Sequence, residues 1–108
     1  MTDVQVTRKD GAYRSVYVRG HAGFAEEGED IVCAAISALT INTVNCLEEI
    51  VREEMTTESS EDGAVIGIRF PKVPGKEATL LIDCLLYGLR SIREQYGKSY
   101  LNLEIKEV

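Results

Sequence analysis

Apolar and polar residues alternate with a period of two along Val4-Gln5-Val6-Thr7 and again along Tyr13-Arg14-Ser15-Val16-Tyr17-Val18. That period marks strands with one face buried. Lys9-Asp10-Gly11 lies between them, and an Asp-Gly pair flanked by alternating runs predicts a hairpin. Ala64-Val65-Ile66-Gly67-Ile68-Arg69-Phe70 reads as a third strand closed by Pro71 and Pro74. Tyr100-Leu101-Asn102-Leu103-Glu104-Ile105-Lys106 reads as a last one. Elsewhere the period lengthens to that of a helix. From Ile31 to about Met55, positions 32, 35, 36, 39, 43, 47, 50 and 51 form one stripe, with Asp30 as its N-cap. From Lys76 to Tyr96, Leu81, Leu85, Leu89 and Ile92 form another, stopped by Gly97. Thr56 to Asp62 is polar and reads as a loop. The order β-β-α-β-α-β predicts an α+β fold, with two long helices packed on a mostly antiparallel sheet. Residues 1–108 read as a single domain, without internal repeats.

The net charge is −6, from 12 basic and 18 acidic residues. This balance argues against a nucleic-acid binder and favours a basic partner or substrate. Three cysteines without a CxxC pair fit a reducing compartment better than a disulfide framework. Met1-Thr2-Asp3-Val4 has neither the basic start nor the apolar segment of a leader, and no apolar run is expected to span a membrane. A cytoplasmic protein is expected.

Candidate chemistry concentrates in one stretch. Residues 21–30 hold the only histidine, His21, followed by Gly23, Gly28 and the acids Glu26, Glu27, Glu29 and Asp30. Gly20, Gly23 and Gly28 mark a mobile loop with hinge points, and a loop this long in so small a domain is more often functional than not. Cys33 follows. With Asp30 as cap, Cys33 falls in the first helical turn, where unsatisfied N–H groups and the helix dipole favour a thiolate. His21 is then placed to serve as general base toward the thiol and general acid toward a leaving amine. Asp30 either caps the helix or orients His21. Ser37, one turn after Cys33, either bonds to the site or packs beside it. Cys46 and Cys84 lie within apolar helical patterns and read as small core residues. No ligand pair has zinc spacing, and acids replace the glycine-rich helix entry of a phosphate loop, so no metal and no cofactor are expected.

Gly20-His21-Ala22-Gly23, followed by Gly28-Glu29-Asp30-Ile31-Val32-Cys33-Ala34-Ala35-Ile36-Ser37, closely resembles the signature of the ribosomal-processing cysteine protease family, Prp, also called YsxB-like. The resemblance extends to length and element order. It implies a homodimeric α+β cysteine endopeptidase that removes the N-terminal extension of a large-subunit ribosomal protein (L twenty-seven). It also implies Cys33 as nucleophile, His21 as its partner, and supporting roles for Asp30 and Ser37. The implied partner is the N-terminal peptide of that precursor, with no nucleic acid or membrane in direct contact. An acidic loop would suit a basic ribosomal-protein tail, and Phe24 is a candidate for receiving an aromatic side chain of the substrate. The competing reading is a non-catalytic ribosome-associated binding or assembly factor with Cys33 merely packed.

Overall fold

Five strands and two helices build the molecule. The computed structural model describes residues 1–20, 27–60, 65–97 and 99–108, with the backbone alone described for 27–30. β1 (Thr2–Lys9) and β2 (Ala12–Arg19) form the expected hairpin. Asp10 and Gly11 both take positive φ, 53° and 82°, as a two-residue turn matched to the strand twist requires. β4 (Val65–Arg69) pairs antiparallel with β2, and β5 (Leu101–Glu107) pairs parallel with β1. The sheet order is β3-β4-β2-β1-β5. The sheet is therefore mixed, with one parallel pairing at its β5 edge.

α1 (Glu27–Cys46) and α2 (Lys76–Tyr96) cover one face of this sheet. Val4, Val6, Val16, Val18, Ile68 and Leu101 meet Val32, Ile36, Leu47, Ile82, Leu86 and Leu89 in the core. Each such side chain contributes about 1.5–3 kcal/mol when fully buried. The helices pack closely: an added Cβ at Gly88 would come within 2.9 Å of a Leu39 methyl. Tyr13 donates a hydrogen bond to the Asp83 carboxylate at 2.5 Å, joining β2 to α2. The Glu53 carboxylate accepts the Gly75 N–H at 3.3 Å, holding the start of α2 near the end of the preceding helix. Thr40 and Thr43 bury their hydroxyls by donating to the carbonyls of Ile36 and Leu39.

Four expectations need correction. The segment 56–62 is not all loop: β3 (Thr56–Ser59) pairs antiparallel with β4 and forms the sheet edge. Its side chains are all exposed, so no apolar alternation marks it. The first helix begins four residues before Ile31, and its α-helical part ends at Cys46. A π-helical turn, Leu47–Val51, follows and closes at Arg52 in the left-handed region. The wider winding carries Ile50 off the core stripe, leaving it 76% exposed. Cys84 is exposed and Cys46 half-buried, so neither is a fully buried core residue. Finally, Ile31–Val51 is long and apolar enough to cross a membrane by length and composition. In this fold it is a core helix that turns one face to the sheet.

Candidate functional site

The chain reaches the site from the end of β2. Thr2 and Gly20 meet where β1 begins and β2 ends. The buried Thr2 side chain lies where a Cβ on Gly20 would be: 2.6 Å from Oγ1, 3.0 Å from Cγ2 and 3.1 Å from Cβ. Gly20 has no positive φ. At this position the close approach between strands by itself calls for a glycine. The contact fixes the point from which residue 21 departs.

His21 and Gly23, and with them Ala22, Phe24 and Glu26, lie outside the described residues, so the separation of His21 from Cys33 does too. Of the expected loop 21–30, residues 27–30 are helical. Gly28 therefore sits inside α1 instead of at a hinge, and Asp30 is its fourth residue instead of its N-cap. Cys33 becomes the seventh. The first four N–H groups of a helix lack intrahelical acceptors, and here they belong to residues 27–30. The dipole acts mainly within the first turn. Cys33 thus lies beyond the first turn of the helix.

Burial of Val32 at 0% and Ile36 at 2% exposure sets the rotation of α1 on the sheet. Cys33 and Ser37, each next to one of these anchors and four residues apart, lie half-buried at the margin of the buried face. Val44 falls on the same side, since eleven residues at about 100° each make just over three whole turns. Beside it opens a groove of about 330 Å³ lined by Ile41, Val44, Asn45 and Glu48 of the helical segment and by Thr57, Glu58, Ser59, Ile66 and Gly67 of β3 and β4. Sequence reasoning missed this feature because its outer wall is the all-polar strand β3. Thr and Ser at 56, 57 and 59 are the one signal that pointed to it, since Thr favours strands.

The groove has what an extended peptide needs. Ile41, Val44 and Ile66 offer apolar contact, and Glu48 offers negative charge. An edge strand offers backbone groups on its unpaired side. Among the described residues no three His, Cys, Asp or Glu side chains are grouped to hold a metal ion.

The sequence profile of the family described as cysteine protease Prp matches residues 1–101. The chain belongs to the Prp cysteine protease family. The ribosomal processing cysteine protease Prp of Staphylococcus aureus strain Mu50 is 32% identical over 100 residues, covering 92% of this chain and 94% of the relative. The Prp of Bacillus subtilis strain 168 is 33% identical over 91 residues, covering 81% of each. The crystal structure of Prp from S. aureus with a covalently linked product peptide superposes with a TM-score of 0.87 at 32% identity, covering 98% of this chain and 100% of that one. Family membership makes the chain a cysteine peptidase by descent, and the mixed sheet with its two helices is the Prp fold.

Proposed function

We propose that this Prp-family chain is a cysteine endopeptidase that trims the N-terminal extension of a large-subunit ribosomal protein, L twenty-seven, with Cys33 as nucleophile and His21 as its base. The observation that carries the reading is the placement of Cys33: half-buried on α1, on the side of the helix that continues into an open groove edged by a free strand. In the proposed reaction Cys33 Sγ attacks the scissile carbonyl carbon while its proton passes to the imidazole of His21. The tetrahedral oxyanion collapses, the C–N bond breaks, and the imidazolium returns the proton to the departing amine. Water, deprotonated by the same imidazole, then hydrolyses the thioester. Ser37, one turn along from Cys33, supports the site, and Asp30 acts in the turn before it. Because Cys33 lies past the first turn of α1, the His21 base supplies the larger share of thiol activation.

The substrate segment lies extended in the groove against β3, with a basic side chain near Glu48. Exposed apolar stripes on the outer helical surface, Ile31, Ala34, Ala38 and Ile41 on α1 and Leu80 and Tyr87 on α2, support a homodimer. Catalysis through a thiolate suits a cytoplasmic location, where thiols stay reduced.

The test incubates the protein with a synthetic N-terminal peptide of the ribosomal protein precursor and reads the products by mass spectrometry. One internal cut is expected, abolished in Cys33→Ala and in His21→Ala. Trimming at an undiminished rate by either variant sinks the assignment, and binding without cleavage by the wild type favours the non-catalytic docking factor. Cys84 is exposed, so alkylation by itself does not single out Cys33. In a Cys84→Ser background, alkylation at Cys33 is expected to slow when His21 is replaced by Ala.

A further inference from the structure

The net charge of −6 conceals a local inversion on the sheet face turned away from the helices. Strand register places Lys106, Thr7, Ser15 and Arg69 side by side across β5, β1, β2 and β4. Lys9 continues β1 beyond them, and Arg14 sits at the irregularity in the β1–β2 pairing. Lys9, Arg14 and Arg69 line an open cavity of about 400 Å³ together with Thr7, Ser15 and Val108. At its base lie two hydroxyls 2.5 Å apart, Thr7 Oγ1 and Ser15 Oγ, with Ser15 only 3% exposed. One hydroxyl hydrogen joins the pair, and the second remains to be given to another acceptor.

Lys9, Arg14, Arg69 and Lys106 have no ion-pair partner among the described residues. The acids of the same face stand in other rows: Glu104 and Glu58 lie in the row of Tyr17, and Asp3 lies opposite Arg19. Asp10 is in the hairpin turn, and Glu107 pairs with Arg8 at 3.8 Å. Gathered cations without an ion-pair partner among the described residues, arranged around a hydroxyl pair that retains a donor, describe a seat for an oxyanion.

The row from Lys106 to Arg69 crosses three strand intervals, about 14 Å at roughly 4.8 Å each. This is wider than one tetrahedral oxyanion and follows a line, as successive phosphates of a strand do. The next row of the same face carries an aromatic platform. The Tyr17 ring lies over Gly67, where a Cβ would collide with it, and the Arg19 guanidinium stands 5.0 Å from the ring centroid. Bases accessible for stacking belong to single strands.

We infer that this sheet face binds the phosphodiester backbone of a single-stranded nucleic acid, with one phosphate seated among Lys9, Arg14, Arg69 and the Thr7–Ser15 hydroxyl pair. Whole-chain charge concealed this because binding depends on where the cations gather, and strand register gathers four of the 12 basic residues at one end of one face.

The test measures fluorescence anisotropy of a labelled twelve-nucleotide uridine RNA with the full chain, between 50 and 200 mM sodium chloride. Four cationic contacts predict a slope of log K against log salt of about −3, at about 0.7 per contact for single strands. Arg14→Gln/Arg69→Gln is expected to bring the slope to about −1.4 and weaken binding at 50 mM salt by at least about tenfold. Lys9→Gln/Lys106→Gln, at two exposed positions, is expected to give a comparable loss without a change in melting temperature. Arg52→Gln/Lys72→Gln, away from this face, is expected to leave binding unaltered. Peptide cleavage should be the same in all of these variants. An absence of RNA binding at 50 mM salt overturns the inference, as does binding undiminished in both charge-removal variants. Inorganic phosphate titrated at constant ionic strength separates the sources: saturable phosphate binding without RNA binding overturns the strand in favour of a free oxyanion.

Discussion

Replacing Gly20 by Ala separates two explanations for a glycine at the entrance to the site. A hinge requires backbone freedom, and a close approach requires room. The structure favours room: Gly20 lies outside the positive-φ region, so alanine can adopt its backbone, but the new Cβ would meet Thr2 Oγ1 at 2.6 Å, Cγ2 at 3.0 Å and Cβ at 3.1 Å. Thr2 is buried at 3% exposure and β-branched, with its N–H donated to the Tyr100 carbonyl at 3.0 Å, so it cannot simply swing aside. Overpacking of this kind costs about 1–3 kcal/mol. The smaller entropy of the unfolded alanine chain offsets about 0.4–1 kcal/mol of that. A net loss of about 1–2 kcal/mol is expected, or a fall in melting temperature of roughly 5–15 °C for a domain of this size. Thr2→Ala removes Oγ1 and Cγ2 and leaves only the 3.1 Å approach. The Gly20→Ala/Thr2→Ala double variant should therefore be more stable than the sum of the single changes by about 1 kcal/mol or more, a coupling that a double-mutant cycle resolves. Urea unfolding followed by circular dichroism supplies the four free energies, and cleavage of a substrate peptide should recover together with stability. Additive losses would refute the close-approach argument. So would a Gly20→Ala protein as stable as wild type but inactive, which would return the residue to a hinge.

Burial, followed by the hydrogen bond to Asp83 and its charge, raises the Tyr13 phenol from about 10 to about 12. The folded value lies above the unfolded one, so this contribution is complete below pH 10 and disappears as pH rises from 10 to 12. Its ceiling is about 2.7 kcal/mol, which screening around the exposed Asp83 cuts to about 1 kcal/mol. Tyr13→Phe should flatten the alkaline part of a stability-against-pH curve, and an unchanged slope between pH 9 and 11 would count against the linkage. Gly11→Ala, at φ 82°, should cost about 1 kcal/mol in thermal unfolding with peptide cleavage intact. Removing the groove carboxylate in Glu48→Gln should raise KM for a basic peptide about two- to threefold at low salt, with kcat unchanged. The difference should vanish near 0.5 M salt as screening shortens the reach of the charges. An effect on kcat alone would place Glu48 outside the binding groove.

The hairpin and α2 were legible residue by residue, because their causes are local. Asp10-Gly11 supplies the positive φ angles of a tight turn, and Lys76 to Tyr96 carries its own apolar stripe and its own glycine stop. The stretch from Gly20 to Ser37 was legible as a motif and identified the family, since the residue types around Cys33 form a pattern that does not depend on tertiary contacts. The ends of α1 were not legible. A capping acid at Asp30 would start a helix at Ile31, yet the helix begins at Glu27, which moves Cys33 out of the first turn.

The sequence by itself determined where one-faced burial occurs, because a period of 2 or 3.6 is written in the order of apolar residues. Only the tertiary structure decided what depends on partners distant in the chain. β3 exists because the Thr56–Ser59 backbone finds hydrogen-bond partners in β4, an attraction that leaves no mark on side-chain polarity. The parallel pairing of β5 with β1 and the gathering of Lys9, Arg14, Arg69 and Lys106 on one face follow from strand register, in which residues tens of positions apart become neighbours. So does the contact between Thr2 and Gly20, where a van der Waals radius settles what the chain order alone left open.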